Sequence, residues 1–255
     1  MPTSHLDPGY LSFHNTTGRR PVDSRLFAKD ARVAVIFCLG KSNIANEGDP
    51  TGLYVPTQGV YNFNLFDGRC YVARDPLLGT SLDRSNVATR VGDLLVRNLI
   101  YDRVLLVPAS YGGTFIVDWI PGGRMFPRIA ATARQLRRAG IEVTHVLWQQ
   151  GEAEGAQANA DGAQWARDFV SVTRGIRQLG IDAPIYVAQC TLCCNEPNEI
   201  IRAAQRSVVD SSQRVLAAPD FDTIGREHRW DGCHFSTSGL DMAAEMWLGA
   251  LARSV

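Results

Sequence analysis

No excess of positive charge marks this chain: its 255 residues hold 26 Lys+Arg against 26 Asp+Glu, a formal net charge of zero. A nucleic-acid-binding surface normally shows as a basic excess, so no nucleic-acid partner is expected. The one local cluster, Arg134, Arg137 and Arg138, is spaced as the solvated face of a helix. Long apolar runs are missing too. None approaches the ~20 residues that cross a bilayer, and the first twenty residues lack the apolar core of a secretory signal. No membrane association is therefore expected, and a cytoplasmic location is favoured unless the chain is already processed. On the same ground the sequon Asn15-Thr16-Thr17 is expected to stay unused. Cysteine is sparse, with six residues at 38, 70, 190, 193, 194 and 233, too few for a disulfide scaffold. Cys190-x-x-Cys193 has no second pair at ligand spacing, and the five histidines are scattered, so no metal site is expected. The expectation is mostly buried free thiols, with a partner for Cys193 or Cys194 left open. Repeats and low-complexity tracts are absent.

What is present suits a globular α/β chain. Hydrophobic residues make up 45%, ample for a core in one domain of this length. Residues 1–30 are polar and irregular and read as an arm packed on a domain spanning 31–255. Short apolar runs at Arg32–Cys38, Arg103–Pro108, Val143–Gln149 and Ile185–Gln189 read as strands buried on both faces. Between them, 3.6-residue periodicity predicts helices over Ser85–Leu99, with Ser85 as N-cap, and over Met125–Ala139, closed by Gly140. Further helices are predicted over Asp161–Leu179, from about Asn198 to Ala217, and from about Thr237 to Arg253. Residues 44–85, rich in Gly, Pro, Asn and Asp, read as a loop-rich insertion carrying short strands. This alternation predicts a three-layer α/β/α sandwich around a central parallel sheet of about five strands. In such sheets, chemistry collects beyond the carboxyl ends of the strands.

Four segments fall at such places: Gly40-Lys41-Ser42-Asn43, Gly112-Gly113-Thr114, Trp148-Gln149-Gln150-Gly151-Glu152 and Asp231-Gly232-Cys233-His234-Phe235. A serine hydroxyl needs a neighbouring base to act as a nucleophile. Asp231 and His234 stand three apart, which lets the carboxylate fix one ring nitrogen while the other faces outward. Paired glycines expose N–H groups, and the Gln150 amide can donate to an oxyanion. Taken alone, each segment reads more simply: Ser42 as a helix cap, Asp231 and His234 as a surface loop pair, Gly112-Gly113 as a turn. Gly40-Lys41-Ser42 also looks like the end of a phosphate-binding loop, but Val35 stands where that loop needs glycine.

Their order along the chain resembles the SGNH hydrolase superfamily, and most closely its sialate O-acetylesterase and carbohydrate esterase family 6-like branch. That branch carries Gly-Gln-Ser-Asn, Gly-Gly-Thr-Ser-Ile followed by Trp, Trp-Tyr-Gln-Gly-Glu and Asp-Gly-x-His-Phe. Here Trp119 stands at the tryptophan of the second block. The resemblance implies a flavodoxin-like SGNH fold and a serine esterase needing no metal or cofactor. Ser42 would be the nucleophile, His234 the base and Asp231 its orienting acid. The oxyanion hole would come from the Ser42 N–H, an N–H of Gly112 or Gly113 and the Gln150 side chain, with Asn43 and Glu152 in support. The implied substrate is a short acyl ester, O-acetyl above all, on a small molecule or carbohydrate. Acyl transfer by the same triad and a non-catalytic carbohydrate-binding module are the rival readings. Lys41 in place of glutamine, Phe115 in place of serine and Cys233 at the variable position depart from the pattern. Lys41 would either favour an anionic substrate or face solvent. Tyr54, Tyr61, Trp119 and Trp148 are candidates for sugar stacking, with core packing the simpler role for the tryptophans.

Overall fold

The computed structural model describes Leu6, residues 11–194 and residues 196–253. Eight strands form one sheet: Pro21–Val22 (β1), Val33–Gly40 (β2), Val60–Asn64 (β3), Arg69–Val72 (β4), Arg103–Pro108 (β5), His145–Gln149 (β6), Ile185–Gln189 (β7) and Val215–Asp220 (β8). Their order is β1-β4-β3-β5-β2-β6-β7-β8. The run from β3 to β8 is parallel, while β4 and β1 close one edge antiparallel. From β2 the chain builds to one side through β3 and β5, then crosses to the other through β6, β7 and β8. The switch point therefore lies at β2, between β5 and β6, where an open α/β sheet leaves a crevice at its carboxyl edge.

The principal helices are Val87–Arg97 (α1), Phe126–Arg138 (α2), the short Glu152–Gly155 (α3), Gly162–Gln178 (α4), Glu199–Ser207 (α5) and Thr237–Ala252 (α6). Alternation along β2 sorts them into layers. Val33, Val35, Phe37 and Leu39 pack with α2, α4 and α5; Ala34, Ile36 and Cys38 pack with α1 and α6. Every residue of β2 is buried, as a central parallel strand requires. On the first face an aromatic chain runs from Trp119 to Trp148 (6.0 Å between ring centroids), Phe169 (5.7 Å) and Trp165 (5.6 Å). Each contact adds about 0.5–1.5 kcal/mol beyond its buried area. Trp119 and Trp148 are thus core residues, and Trp148 anchors the strand that ends at Gln149.

Several expectations are corrected. The sheet has eight strands, not about five. Two of the additional strands, β3 and β4, come from the insertion, and β1 comes from the amino-terminal arm. β8 lies where the sequence suggested the end of a helix running to Ala217. That helix stops at Ser207; Asp210 accepts the Ser212 N–H at 2.9 Å, and Arg214 turns at φ 55°. Val215–Ala217 then pairs with Ile185–Val187, so sheet pairing overrides a helical local pattern. Helix α1 is capped by Asn86, one residue after Ser85, with its side chain accepting Ala88 N–H at 2.8 Å. The partner left open for Cys193 is resolved. Cys193 and Cys233 form a disulfide, whereas Cys38, Cys70 and Cys190 are buried thiols and Cys194 is an exposed one. Burial pushes the Cys38 thiol up to about 12, which leaves it unreactive.

Candidate active site

The site begins where three strand ends are tied together. At Gly40 the backbone takes φ 122°, and a Cβ there would collide with the Gln149 carbonyl; only glycine lets the end of β2 approach β6 this closely. Lys41 N–H donates to Gln149 O at 2.9 Å, and Tyr111 N–H donates to Gly40 O at 2.9 Å. Ser42 then opens a single 3-10 turn, Ser42–Ile44. Its side chain is buried, and its Oγ has no hydrogen-bond partner among the described residues. Lys41 does not face solvent: it is 8% exposed. Burial, Glu152 and Asp222 push the nearby Cys190 thiol well up, and the Lys41 charge opposes them.

Asp231 and His234 occupy the tip of a small hairpin closed by the Arg229–Phe235 bridge, with Trp230 N–H donating to His234 O at 2.9 Å. Gly232 makes the turn at φ 83°. Asp231 Oδ2 lies 2.7 Å from His234 Nδ1, while its Oδ1 accepts the N–H groups of His234 (2.7 Å) and Cys233 (2.9 Å). Partial burial alone would raise the Asp231 carboxyl. The hydrogen bonds from His234 and Cys233, with the His234 charge, outweigh it and hold the group below the usual carboxylate range. Asp231 is thereby kept ionised beside Nδ1, and Nε2 is left to face the site.

Asn43 joins these two segments. Its Nδ2 donates to Glu152 Oε1 at 2.9 Å and to Cys233 O at 3.3 Å, and its Oδ1 accepts Phe235 N–H at 3.2 Å. The residue after Ser42 therefore grips the backbone on both sides of His234, while Glu152 holds the Asn43 amide from behind. Gly112 N–H donates to Ser81 Oγ at 2.9 Å. Gly113, at φ 66° and exposed, makes no such bond among the described residues. Gln150 is fully buried; its Nε2 donates to Thr114 O at 3.0 Å and to the Glu154 carboxylate at 3.0–3.1 Å. Burial raises the Glu154 carboxyl, against its bonds from Ile116 N–H and Gln150. Phe115 is exposed, and Trp119 Nε1 donates to Thr114 Oγ1 at 3.1 Å. Asn43, Glu152, Asp231 and His234 thus share one network of hydrogen bonds, Ser42 adjoins it through the backbone of Asn43 with its own Oγ unbonded, and Gly112 reaches Glu47 through Ser81.

Other contributors gave no sequence signal. Glu47 and Ser81 come from the insertion: Ser81 Oγ donates to Glu47 Oε1 at 2.6 Å, and Glu47 Oε2 lies 3.7 Å from His234 Nε2. Arg229 is buried and donates to Cys233 O (2.6 Å), Phe221 O (2.9 Å) and Ile224 O (3.3 Å), pinning the hairpin. Trp230 stacks on the His234 ring at 6.3 Å, with the Arg84 guanidinium 4.9 Å from its own centroid. The disulfide fixes Cys233, between Asp231 and His234, to the segment after β7. The four motif segments were visible in advance; these partners were not, because they meet the motifs through long-range contacts. A cleft of about 720 Å³ opens at the amino-terminal ends of β2, β6, β7 and β8, away from this cluster.

Residues 33–253 match the family described as carbohydrate esterase, sialic acid-specific acetylesterase. The chain belongs to this family. The acetylesterase family is one of carboxylic ester hydrolases, and its architecture recurs in solved structures at low identity. The Arabidopsis thaliana protein AT4G34215 superposes with a TM-score of 0.71 at 18% identity, covering 88% of this chain and 99% of that one. NanS gives 0.60 at 14% identity, covering 88% and 98%. XAC1771, a carbohydrate acetylesterase from Xanthomonas citri, gives 0.58 at 15% identity, covering 87% and 57%. These likenesses make the fold that of the SGNH hydrolases. In sequence, the chain is 39% identical over 49 residues to the probable carbohydrate esterase At4g34215 of Arabidopsis thaliana, a match spanning 19% of each protein. Among the described residues, no helix of this acetylesterase-family chain is long and apolar enough to cross a membrane.

Proposed function

We propose that this protein hydrolyses short acyl esters, O-acetyl groups on a carbohydrate as the substrate class, through an acyl-enzyme on Ser42. The observation that carries the reading is the Asn43 side chain, which bonds Cys233 O and Phe235 N–H and so brings the backbone beside Ser42 to both flanks of His234. Family membership supplies the reaction class.

In the first step His234 Nε2 takes the Ser42 Oγ proton as the oxygen attacks the ester carbonyl. Asp231, ionised and bonded to Nδ1, stabilises the imidazolium that results. The tetrahedral oxyanion is received by the N–H of Ser42 at the start of its 3-10 turn and by the N–H of Gly113; Gly112 spends its own on Ser81. Gln150 is the third donor, exchanging its bond to Thr114 O for one to the oxyanion. His234 returns the proton to the leaving alcohol, then activates water to release the acid. Catalytic hydrogen bonds are often open before substrate arrives, in keeping with the unpartnered Ser42 Oγ.

Ser42→Ala tests this. Acetate release from p-nitrophenyl acetate and from acetylated sugars should fall at least 10³-fold, with the circular dichroism spectrum unchanged. Turnover that survives the substitution overturns the assignment. So does a failure of Ser42, followed by mass spectrometry, to react with a fluorophosphonate.

A further inference from the structure

The insertion places a carboxylate inside the site that the acyl-transfer steps do not use. Glu47 is 8% exposed and faces His234 Nε2 from 3.7 Å. Its Oε1 takes the Ser81 hydroxyl proton at 2.6 Å, and the carboxylate packs so closely on Gly112 that a Cβ there would collide with it. It therefore sits against both His234 and Gly112. Among the described residues it has no Lys or Arg partner; its one titratable neighbour in salt-bridge range is His234. The buried Lys41 makes no ion pair with it. Oε2 accepts no hydrogen bond from any described residue. A carboxylate is an acceptor with about four lone-pair sites, and the Glu47 side chain keeps some exposure, so Oε2 is open to a donor that enters the site.

We propose that Glu47 is a specificity-determining residue that binds hydrogen-bond donors, hydroxyl or ammonium, on the alcohol part of the ester and rejects anionic alcohols. The inference rests on the reading of Ser42 and His234 as nucleophile and base. An alcohol leaving toward His234 Nε2 must pass within reach of Glu47 Oε2. A neighbouring sugar hydroxyl or an ammonium then completes the carboxylate's unmet bonding. A carboxylate on the sugar meets like charge in a poorly solvated place, so selection works by repulsion as well as attraction. This sets the chain apart from the acidic-sugar specificity in its family's description and points toward neutral or amino sugars.

The test measures kcat/KM for monoacetates of three methyl glycosides: glucoside, glucosaminide and glucuronide. In the wild type the glucosaminide and glucoside esters should exceed the glucuronide ester by 10-fold to 100-fold. The order of the first two says whether ammonium or hydroxyl is the better donor. In Glu47→Gln, which keeps an acceptor for Ser81 but removes the charge, both ratios to the glucuronide should shrink about tenfold. Ser81→Ala, which leaves the carboxylate but unfastens it, should move them in the same direction by a smaller factor, and it decides the matter if the first variant does not fold. Ratios unchanged in both variants overturn the inference. An equal fall for all three esters also overturns it, because a residue that only positions His234 would act without regard to the alcohol. Failure of the Ser42 reading is seen separately, as turnover that survives Ser42→Ala.

Discussion

Removing the Cys193–Cys233 bond should destabilise the protein by about 4 kcal/mol. The two cysteines are separated by 40 residues, and closing a loop of that length removes roughly 13 cal/mol/K from the unfolded chain, or about 4 kcal/mol at 25 °C. For 255 residues, an unfolding entropy of about 2.1 cal/mol/K per residue turns this into a fall in Tm of about 7 °C. The perturbation is the double substitution Cys193→Ser and Cys233→Ser, so that neither sulfur remains to pair with Cys194, whose thiol lies 3.7 Å from Asp231 O. Dithiothreitol on the wild type is the second arm. It breaks the same bond without placing a serine hydroxyl in the buried Cys233 position. Thermal unfolding followed by circular dichroism reads the shift. Thiol titration of the denatured, unreduced protein should find four free thiols among the six cysteines. Because Cys233 lies between Asp231 and His234, kcat should fall along with Tm. Six titratable thiols, or a Tm within about 2 °C of wild type in both arms, would refute the reasoning.

Gln150→Ala should lower kcat roughly 10²–10³-fold on p-nitrophenyl acetate; a loss under about tenfold would mean that its amide only anchors Thr114. Asn43→Ala removes three hydrogen bonds around His234 and leaves Glu152 Oε1 without this donor. It should reduce kcat more than tenfold with KM little changed, read from steady-state kinetics. His145 supplies a pH dependence separate from the chemistry. Burial between Tyr101 and Tyr186 lowers its pKa from 6.5 to about 4, so the native state refuses a proton that the unfolded chain accepts. Stability is therefore intact above pH 6.5 and is lost as pH falls toward 4, by up to about 3 kcal/mol. His145→Gln should flatten that slope in urea titrations across this range.

The family was legible in the sequence because four short segments, each with a simpler reading of its own, stand in one order at strand ends and in one turn. Ser42 follows a run of apolar residues that only a central strand explains, and Asp231-Gly232-x-His234 carries its own turn and its own hydrogen bond. Strands buried on both faces and long amphipathic helices were equally visible: β5 and β7 match the apolar runs residue for residue. What stayed hidden depended on partners far apart in the chain. β8 is a strand because it pairs with β7, not because its residues insist on it. Cys233 reads as a filler at a variable position until Cys193 arrives from forty residues away. Glu47 and Ser81 lie in a segment without periodicity, and Ser81 meets Glu47 only after β3 and β4 have returned the chain past Ser42. By itself, the sequence pointed to the family and so to its reaction class, since the order of four short motifs is a property of the chain alone. The tertiary structure alone decided what surrounds them, because the walls of the site are built from loops whose positions are set by the sheet they join.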